Sequence, residues 1–344
     1  MEFLYEYGLF LAKAATLVIA ILLVVGGVIG LASKQKGGKG HLLIESVNDK
    51  LDDIAEQTRA LLLTKDELKA LHKEEKKKAK QAKKDEKNKP EEKDTSRLFV
   101  IDFKGSMDAH EVERLRKEVT AVLLVADKQD EVLVKLESGG GVVHGYGLAA
   151  SQLQRLKDAG LKLTVSVDKV AASGGYMMAC VADEILAANF AIIGSIGVIA
   201  QLPNFNKLLK RNDIEFEQHT AGEFKRTLTV FGENTDAGRE KFREELEDVH
   251  HMFKDHVAAH RANMDIAKVA TGEYWYGNKA LELGLVDKLQ TSDDYLLQQY
   301  KEKQVFTVKY EGPKNLAEKL GKAAAVGVEK GLMGLWQKSL HYFK

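Results

Sequence analysis

The chain has 344 residues, enough for roughly two domains, and its 44% hydrophobic content can fill a sizeable core. Its 51 basic and 51 acidic residues cancel, so nothing in the overall charge argues for a nucleic-acid partner. The single cysteine, Cys180, sits in an apolar run, which excludes an intramolecular disulfide and suits burial better than catalysis.

Residues Leu9 to Ala32 are almost wholly apolar, with Lys13 the one charge. The uninterrupted run Ala14–Ala32 is long enough to span a bilayer as a helix. Tyr5, Tyr7 and Phe10 lie where an interfacial belt would form, and Lys34, Lys36 and Lys39 follow the run. A cleaved signal peptide would have a basic leader and a shorter apolar region, whereas this leader carries Glu2 and Glu6. The reading is therefore a retained membrane anchor over residues 1–40. The lysines after the span place the rest of the chain on the cytoplasmic side by charge bias.

From His41 to about Leu71, Ile44, Val47, Leu51, Ile54, Thr58, Leu61, Lys65 and Leu68 recur at spacings of three and four. That heptad-like stripe predicts a helix packed on a partner helix or on the following domain, or a short amphipathic helix with no such role. Residues 65–94 hold 12 Lys and 9 Asp or Glu and no aromatic, so this stretch reads as a charged helix or a disordered linker. Its lysines could touch anionic lipid head groups or simply be solvated. Pro90 marks the end of this extension, taken as residues 41–95.

From Ser96 the pattern is that of an α/β domain. Strands are predicted at Leu98–Phe103, Glu131–Leu136 and Leu161–Val167. Helices are predicted from Asp108, a candidate N-cap, to about Ala126 and from Val143 to Lys157. The alternation argues for parallel crossover units. Glu137-Ser138-Gly139-Gly140-Gly141 is a glycine-rich turn after a strand. It could offer backbone N–H groups to an oxyanion, cradle a phosphate, or be a plain tight turn. No P-loop and no dinucleotide fingerprint is present.

Ala171-Ala172-Ser173-Gly174-Gly175-Tyr176 lies where a strand gives way to a helix. It can expose a nucleophile beside a backbone N–H, or merely let helix and strand pack closely. Downstream, Ala191–Ala200 reads as buried strands and Glu215–Thr220 as strand-like. Asp236 to about Asn263 reads as a long charged helix. His256 and His260 stand at i,i+4 on that helix and could bind a metal, but no H-E-x-x-H motif is present. A solvated face is the reading, and no metal or cofactor is expected. A serine nucleophile needs a base, and no histidine has a triad context. Lys225, in Gly222-Glu223-Phe224-Lys225-Arg226, can act as one if burial keeps it neutral. Residues 313–344 carry apolar positions at helical spacing, from Leu316 to Trp336. They are read as an amphipathic helix that lies on the membrane, caps a neighbouring copy, or packs on its own domain.

Five ordered segments resemble the membrane-bound serine peptidases of the signal peptide peptidase A and SohB family. They are Ser138–Gly141, Ala171–Tyr176, Gly194-Ser195-Ile196-Gly197-Val198, Gly222–Lys225, and the stretch Gly277 to Asp287. Gly139 stands where the family usually has proline. The resemblance covers about Ser96 to Leu289, within a peptidase domain taken as residues 96–312. It implies a ClpP/crotonase-like spiral of ββα units, preceded by the transmembrane helix and the charged linker. It also implies a Ser-Lys dyad working through an acyl-enzyme. Ser173 is then the nucleophile, Lys225 the general base and Ser195 the residue that orients the lysine. The N–H groups of Gly140 and Gly174 form the oxyanion hole, with Gly141 as the alternative to Gly140. The implied setting is the bacterial inner membrane with the site on the periplasmic side, against the local charge bias. Implied too are a homo-oligomeric ring in which neighbours share sites, and short apolar peptides such as signal-peptide remnants as substrates. A crotonase-like acyl-CoA enzyme shares that fold but needs no Ser173 and Lys225 pair. An inactive membrane scaffold is the other alternative.

Overall fold

The computed structural model describes residues 7–11, 13, 16, 40–87 and 96–312. Residues 43–309 form one compact unit, and residues 1–42 with 310–344 a second. The expected anchor Ala14–Ala32, apart from Thr16, lies outside the described residues, as do linker residues 88–95 and the expected C-terminal helix. Among the described residues no helix is long and apolar enough to cross a membrane.

In chain order the named elements begin with β1 (His41–Ser46), α1 (Val47–Leu62) and α2 (Lys65–Lys87). The expected single helix is thus a strand followed by two helices. Ser46 caps α1 by accepting from Asp49 N–H at 3.1 Å. Thr64 and Glu67 then form a reciprocal capping box that starts α2. The heptad stripe runs through both boundaries, because periodicity is blind to caps. No residue of α1 is fully buried, and Leu61 is 88% exposed. What ties α1 down is Asn48. Its amide donates to Tyr300 O and Lys303 O at 3.0 and 3.1 Å, and its Oδ1 accepts from Val305 N–H at 2.7 Å.

The α/β part follows with β2 (Arg97–Lys104), α3 (Val112–Leu123), β3 (Glu131–Glu137), α4 (Val143–Asp158) and β4 (Lys162–Val167). Next come β5 (Val170–Ala172), α5 (Gly174–Ala179), β6 (Glu184–Ala187), β7 (Ile192–Gly194) and α6 (Asn206–Arg211). The last elements are α7 (Asp236–His260), α8 (Ile266–Val269), β8 (Tyr274–Tyr276), α9 (Gly277–Glu282), β9 (Lys288–Leu289), α10 (Ser292–Gln299) and β10 (Gln304–Glu311). The strands form a seven-stranded sheet, β1-β10-β2-β3-β4-β6-β9, and a three-stranded sheet, β5-β7-β8. Pairing from β10 through β9 is parallel, and in the small sheet β5 is parallel and β8 antiparallel to β7. The chain is therefore α/β with a mixed sheet. Consecutive strands β4 and β5 sit in different sheets before α5.

The central strands are buried on both faces, which is why they are rich in Val, Leu, Ile and Phe; Thr164 and Ser166 in β4 are buried polar residues among them. One face packs Phe99, Ile101, Val132, Val134, Leu163 and Val165 into the main core with α3, α4 and α5. The other holds a smaller cluster around Leu98, Val100, Leu133, Tyr295 and Val305.

Three local expectations are corrected. Helix α3 starts at Val112, and Asp108 sits in the loop before it, held by Ser106 Oγ and His110 Nδ1 at 2.6 and 2.9 Å. Of Ala191–Ala200 only Ile192–Gly194 is a strand, because positive φ at Gly194 and Ser195 turns the chain away. Glu215–Thr220 forms no strand: these residues are exposed, and among the described residues no strand pairs with them.

Candidate active site

Two strand ends meet at the Ser-Gly-Gly turn. β5 pairs with β7 in parallel, with Ala172 opposite Gly194, so Ser173 and Ser195 leave adjacent strands in the same register. Ser173 N–H donates to Gly194 O at 2.8 Å. Ser195 N–H donates to Glu273 O at 2.7 Å, and its hydroxyl reaches Gly272 O at 3.5 Å. Both serines have positive φ, 51° and 52°. For a residue with a Cβ such a conformation costs about 1–3 kcal/mol and persists only where surrounding structure fixes it. Here the β5–β7 ladder and a bridge between Ser138 and Ala171 do so. Ser173 is half-buried, and its Oγ makes no hydrogen bond among the described residues. Helix α5 starts at the next residue, and the first N–H groups of a helix lack intrahelical acceptors. A serine on a strained strand-to-helix turn beside such an N–H is the arrangement of a nucleophile elbow.

The close-packing reading of the two glycines also holds. A Cβ on Gly175 would lie 2.4 Å from Ser138 O, and one on Gly174 would lie 2.4 Å from Cγ of Tyr146. The turn is glycine-built because it presses against the end of β3 and the ring of α4.

The glycine-rich turn after β3 lies against the serine. Ser138 N–H donates to Val170 O at 2.9 Å and Ala172 N–H to Ser138 O at 3.0 Å. Gly140 has φ 88°, and a Cβ there would come within 2.8 Å of Ser173 Cβ. The N–H of Gly140 donates to Ser138 Oγ at 3.0 Å, whereas that of Gly141 has no acceptor among the described residues. Ser138 Oγ is in turn bonded to Tyr146 Oη, which donates to Ser106 O at 2.8 Å. Since the tyrosine proton goes to Ser106 O, Ser138 supplies the proton between the two hydroxyls and keeps its lone pairs for Gly140. Burial pushes the Tyr146 phenol up, so it stays protonated in this role. Tyr146 is a positioning group that the sequence did not single out. Nothing but its apolar helical spacing marked it.

Lys225 is placed differently. It lies between α6 and α7 in an irregular, exposed segment, in a turn closed by its own N–H to Gly222 O at 3.2 Å. It lines a cleft of about 720 Å³ with Leu202, Phe216, Arg226 and Phe231, and neither Ser173 nor Ser195 lines that cleft. No hydrogen bond joins Lys225 to either serine among the described residues. The chain thus brings Ser173, Ser195, Gly140, Gly141 and Gly174 together, while Lys225 lines a cleft to which neither serine contributes.

The chain matches the family model for the N-terminal part of peptidase family S49 over residues 2–153 and the model for peptidase family S49 over residues 155–306. It is 49% identical to "Probable protease SohB" of Haemophilus influenzae over 331 residues, covering 94% of this chain and 93% of the relative. It is 54% identical to the protein of the same name from Buchnera aphidicola subsp. Acyrthosiphon pisum, covering 70% and 71%. Among solved structures it is similar to the 1510-N membrane-bound stomatin-specific protease. The TM-score is 0.42 at 12% identity, with 62% of this chain and 97% of that chain covered.

Proposed function

The chain belongs to peptidase family S49, and from that premise we propose that its serine peptidase activity runs on a Ser-Lys dyad, Ser173 and Lys225. Ser173 Oγ attacks the scissile carbonyl, and neutral Lys225 takes its proton. The resulting ammonium then protonates the leaving amine, and water repeats the cycle to free the acyl-enzyme. Ser195, one strand over at the same level, holds the lysine amine. The N–H of Gly174 receives the oxyanion. Gly141 is the better second donor than Gly140, whose N–H is already given to Ser138 Oγ.

The observation that carries the reading is the strained, half-buried turn at Ser173, beside a helix N-terminus and a glycine turn. The order β4, β5, α5 fits the ClpP/crotonase-like spiral. Ala14–Ala32 serves as a single anchor in a bacterial inner membrane, with the site facing the periplasm. A homo-oligomeric ring brings Lys225 of one copy to Ser173 of the next and shields the amine from water. The exposed Phe205, Phe216 and Phe231, with the Phe231 ring centroid 6.2 Å from that of Phe205 and 5.7 Å from that of Phe216, suit short apolar peptides.

A fluorophosphonate probe tests the assignment. Wild type is labelled, Ser173→Ala is not, and Lys225→Ala is labelled far more slowly while it still assembles. Labelling that survives Ser173→Ala overturns it.

A further inference from the structure

The sequence leaves His256 and His260 on a solvated helix face, but the structure packs both, half-buried, near α5. Cys180, fully buried, follows the last residue of α5. Its Sγ and one ring nitrogen of each histidine lie within 4.8 Å of one another, and the two rings are 4.6 Å apart.

Each imidazole already gives one N–H to a backbone carbonyl. His256 Nε2 donates to Met177 O at 3.0 Å, and His260 Nδ1 donates to His256 O at 2.8 Å. Metal-ligating histidines are held in this way, with the other nitrogen presented to the ion. For His260 the nitrogen left over is Nε2; for His256 it is Nδ1, while Nε2 shares Met177 O with Cys180 Sγ, so the ion takes Nδ1 or replaces that shared carbonyl bond.

His260 Nε2 faces Gln154 Oε1 at 2.9 Å. The amide cannot be turned round freely, because Gln154 Nε2 donates to Asp158 Oδ1 at 2.7 Å. A neutral His260 therefore points a lone pair at a second lone pair, with no proton between them. A cation bound beside this line, with the amide oxygen drawn slightly aside to a coordination distance of about 2 Å, takes up both lone pairs. The donors around it are a sulfur, two imidazoles and an amide oxygen, and the histidines have the H-x3-H spacing of a helical metal pair.

We propose that Cys180, His256 and His260, with Gln154 Oε1 as a fourth donor, form a structural site for a zinc-type divalent cation. The ion clamps α7 to the C-terminal end of the helix that starts after Ser173. Burial pushes the Cys180 thiol up to about 12, and without metal its S–H points to Met177 O at 3.3 Å. Uptake accordingly replaces that proton with the ion and releases one proton per metal bound. Entry is through the half-buried imidazoles.

The test uses the untagged full chain in detergent, stripped with a chelator and titrated with Co2+. The expected result is one equivalent bound per chain, with a thiolate-to-cobalt charge-transfer band in the near ultraviolet that Zn2+ abolishes by competition. Cys180→Ala loses the band, and Gln154→Ala weakens uptake by about 10–100-fold. The wild-type spectrum decides even if a variant does not fold: saturating Co2+ without the band overturns the site. Nitrogen-15 spectra showing both His260 ring nitrogens protonated under excess Zn2+ overturn it as well, since that histidine is then an imidazolium and no ligand.

Discussion

The two proposed halves of the dyad sit in opposite kinds of structure. Ser173 stands where two parallel strands end in register, on a turn whose glycines touch Ser138 and Tyr146. Every backbone neighbour of that serine is fixed within the chain. Lys225 sits in a segment that has no strand or helix from Asn212 to Thr235, with its whole stretch Ala221–Arg226 exposed. A base must be desolvated to be neutral near pH 7. The difference teaches that the nucleophile is preorganised by folding, whereas the base needs something further to cover it.

The largest expected effect tests that division directly. Ser173→Ala and Lys225→Ala should each lower peptide cleavage by at least about 10³-fold, as loss of a nucleophile or its base does. If a neighbouring copy supplies the base, rings assembled from equal amounts of the two inactive chains regain roughly a quarter of the wild-type sites. Mixed rings that stay inactive, with size confirmed by light scattering, would place the dyad within one chain.

Next comes the packing beneath the serine. Gly175→Ala puts a Cβ 2.4 Å from a backbone oxygen, Ser138 O, which has no flexible end to move aside. A destabilisation of about 1–3 kcal/mol is expected from such overpacking, read by chemical denaturation, together with loss of probe labelling. Gly222→Ala, where a Cβ meets only the Lys225 side chain at 3.9 Å, lacks that steric penalty, although its φ of 97° still disfavours alanine. Equal effects of both substitutions on labelling would break the contrast between the two regions.

Tyr146→Phe is the finer probe of the same wall. It removes the hydroxyl that links Ser106 O to Ser138 Oγ and leaves those groups without it, for about 1–3 kcal/mol of stability. With Ser138 no longer fixed, the glycine turn loosens. We expect kcat to fall about 10-fold, a fraction of the roughly 10²–10³ that a lost oxyanion donor costs, with KM nearly unchanged. A change in KM alone would show that Tyr146 does not position the turn.

What was legible in the sequence follows from the same physics. β2, β3 and β4 announce themselves because strands buried on both faces are rich in apolar and β-branched residues, with Thr164 and Ser166 the buried polar exceptions in β4. The Ser-Gly-Gly turn is visible because glycine is needed where backbones touch. Thr64 and Glu67 carried a readable capping box, but the hydrophobic stripe crossed it and masked the break. Glu215–Thr220 alternates like a strand, and alternation cannot say whether a partner edge exists. Tyr146 was beyond reach, and of the His256–His260 pair the spacing was visible but the surroundings were not. Their roles depend on Ser106, Met177 and Gln154, which no local pattern connects to them.

The smallest effect concerns the loop that carries Ser106. Hydrogen bonds from Ser106 and His110 hold the Asp108 carboxyl down at about 2. The Asp108 bond, and then the charge of Glu111, raises His110 above its ordinary value. The signs differ. Asp108 is depressed in the folded chain, so its contribution is present above the unfolded value near 4 and is lost as pH falls toward 2. His110 is raised, so its contribution is complete below about 6.5 and is lost as pH rises through the higher folded value. The pair is exposed, so each contribution is small and salt-sensitive. The thermal midpoint should pass through a shallow maximum between those limits, and Asp108→Asn should flatten both flanks. A midpoint that keeps its alkaline flank in Asp108→Asn would mean that His110 owes its shift to Glu111 instead. The brace behind Ser106 would then run through Glu111, whose carboxylate accepts from Ser106 N–H at 3.1 Å and lies 2.8 Å from Ser106 Oγ, where it competes with Asp108 for the one hydroxyl proton.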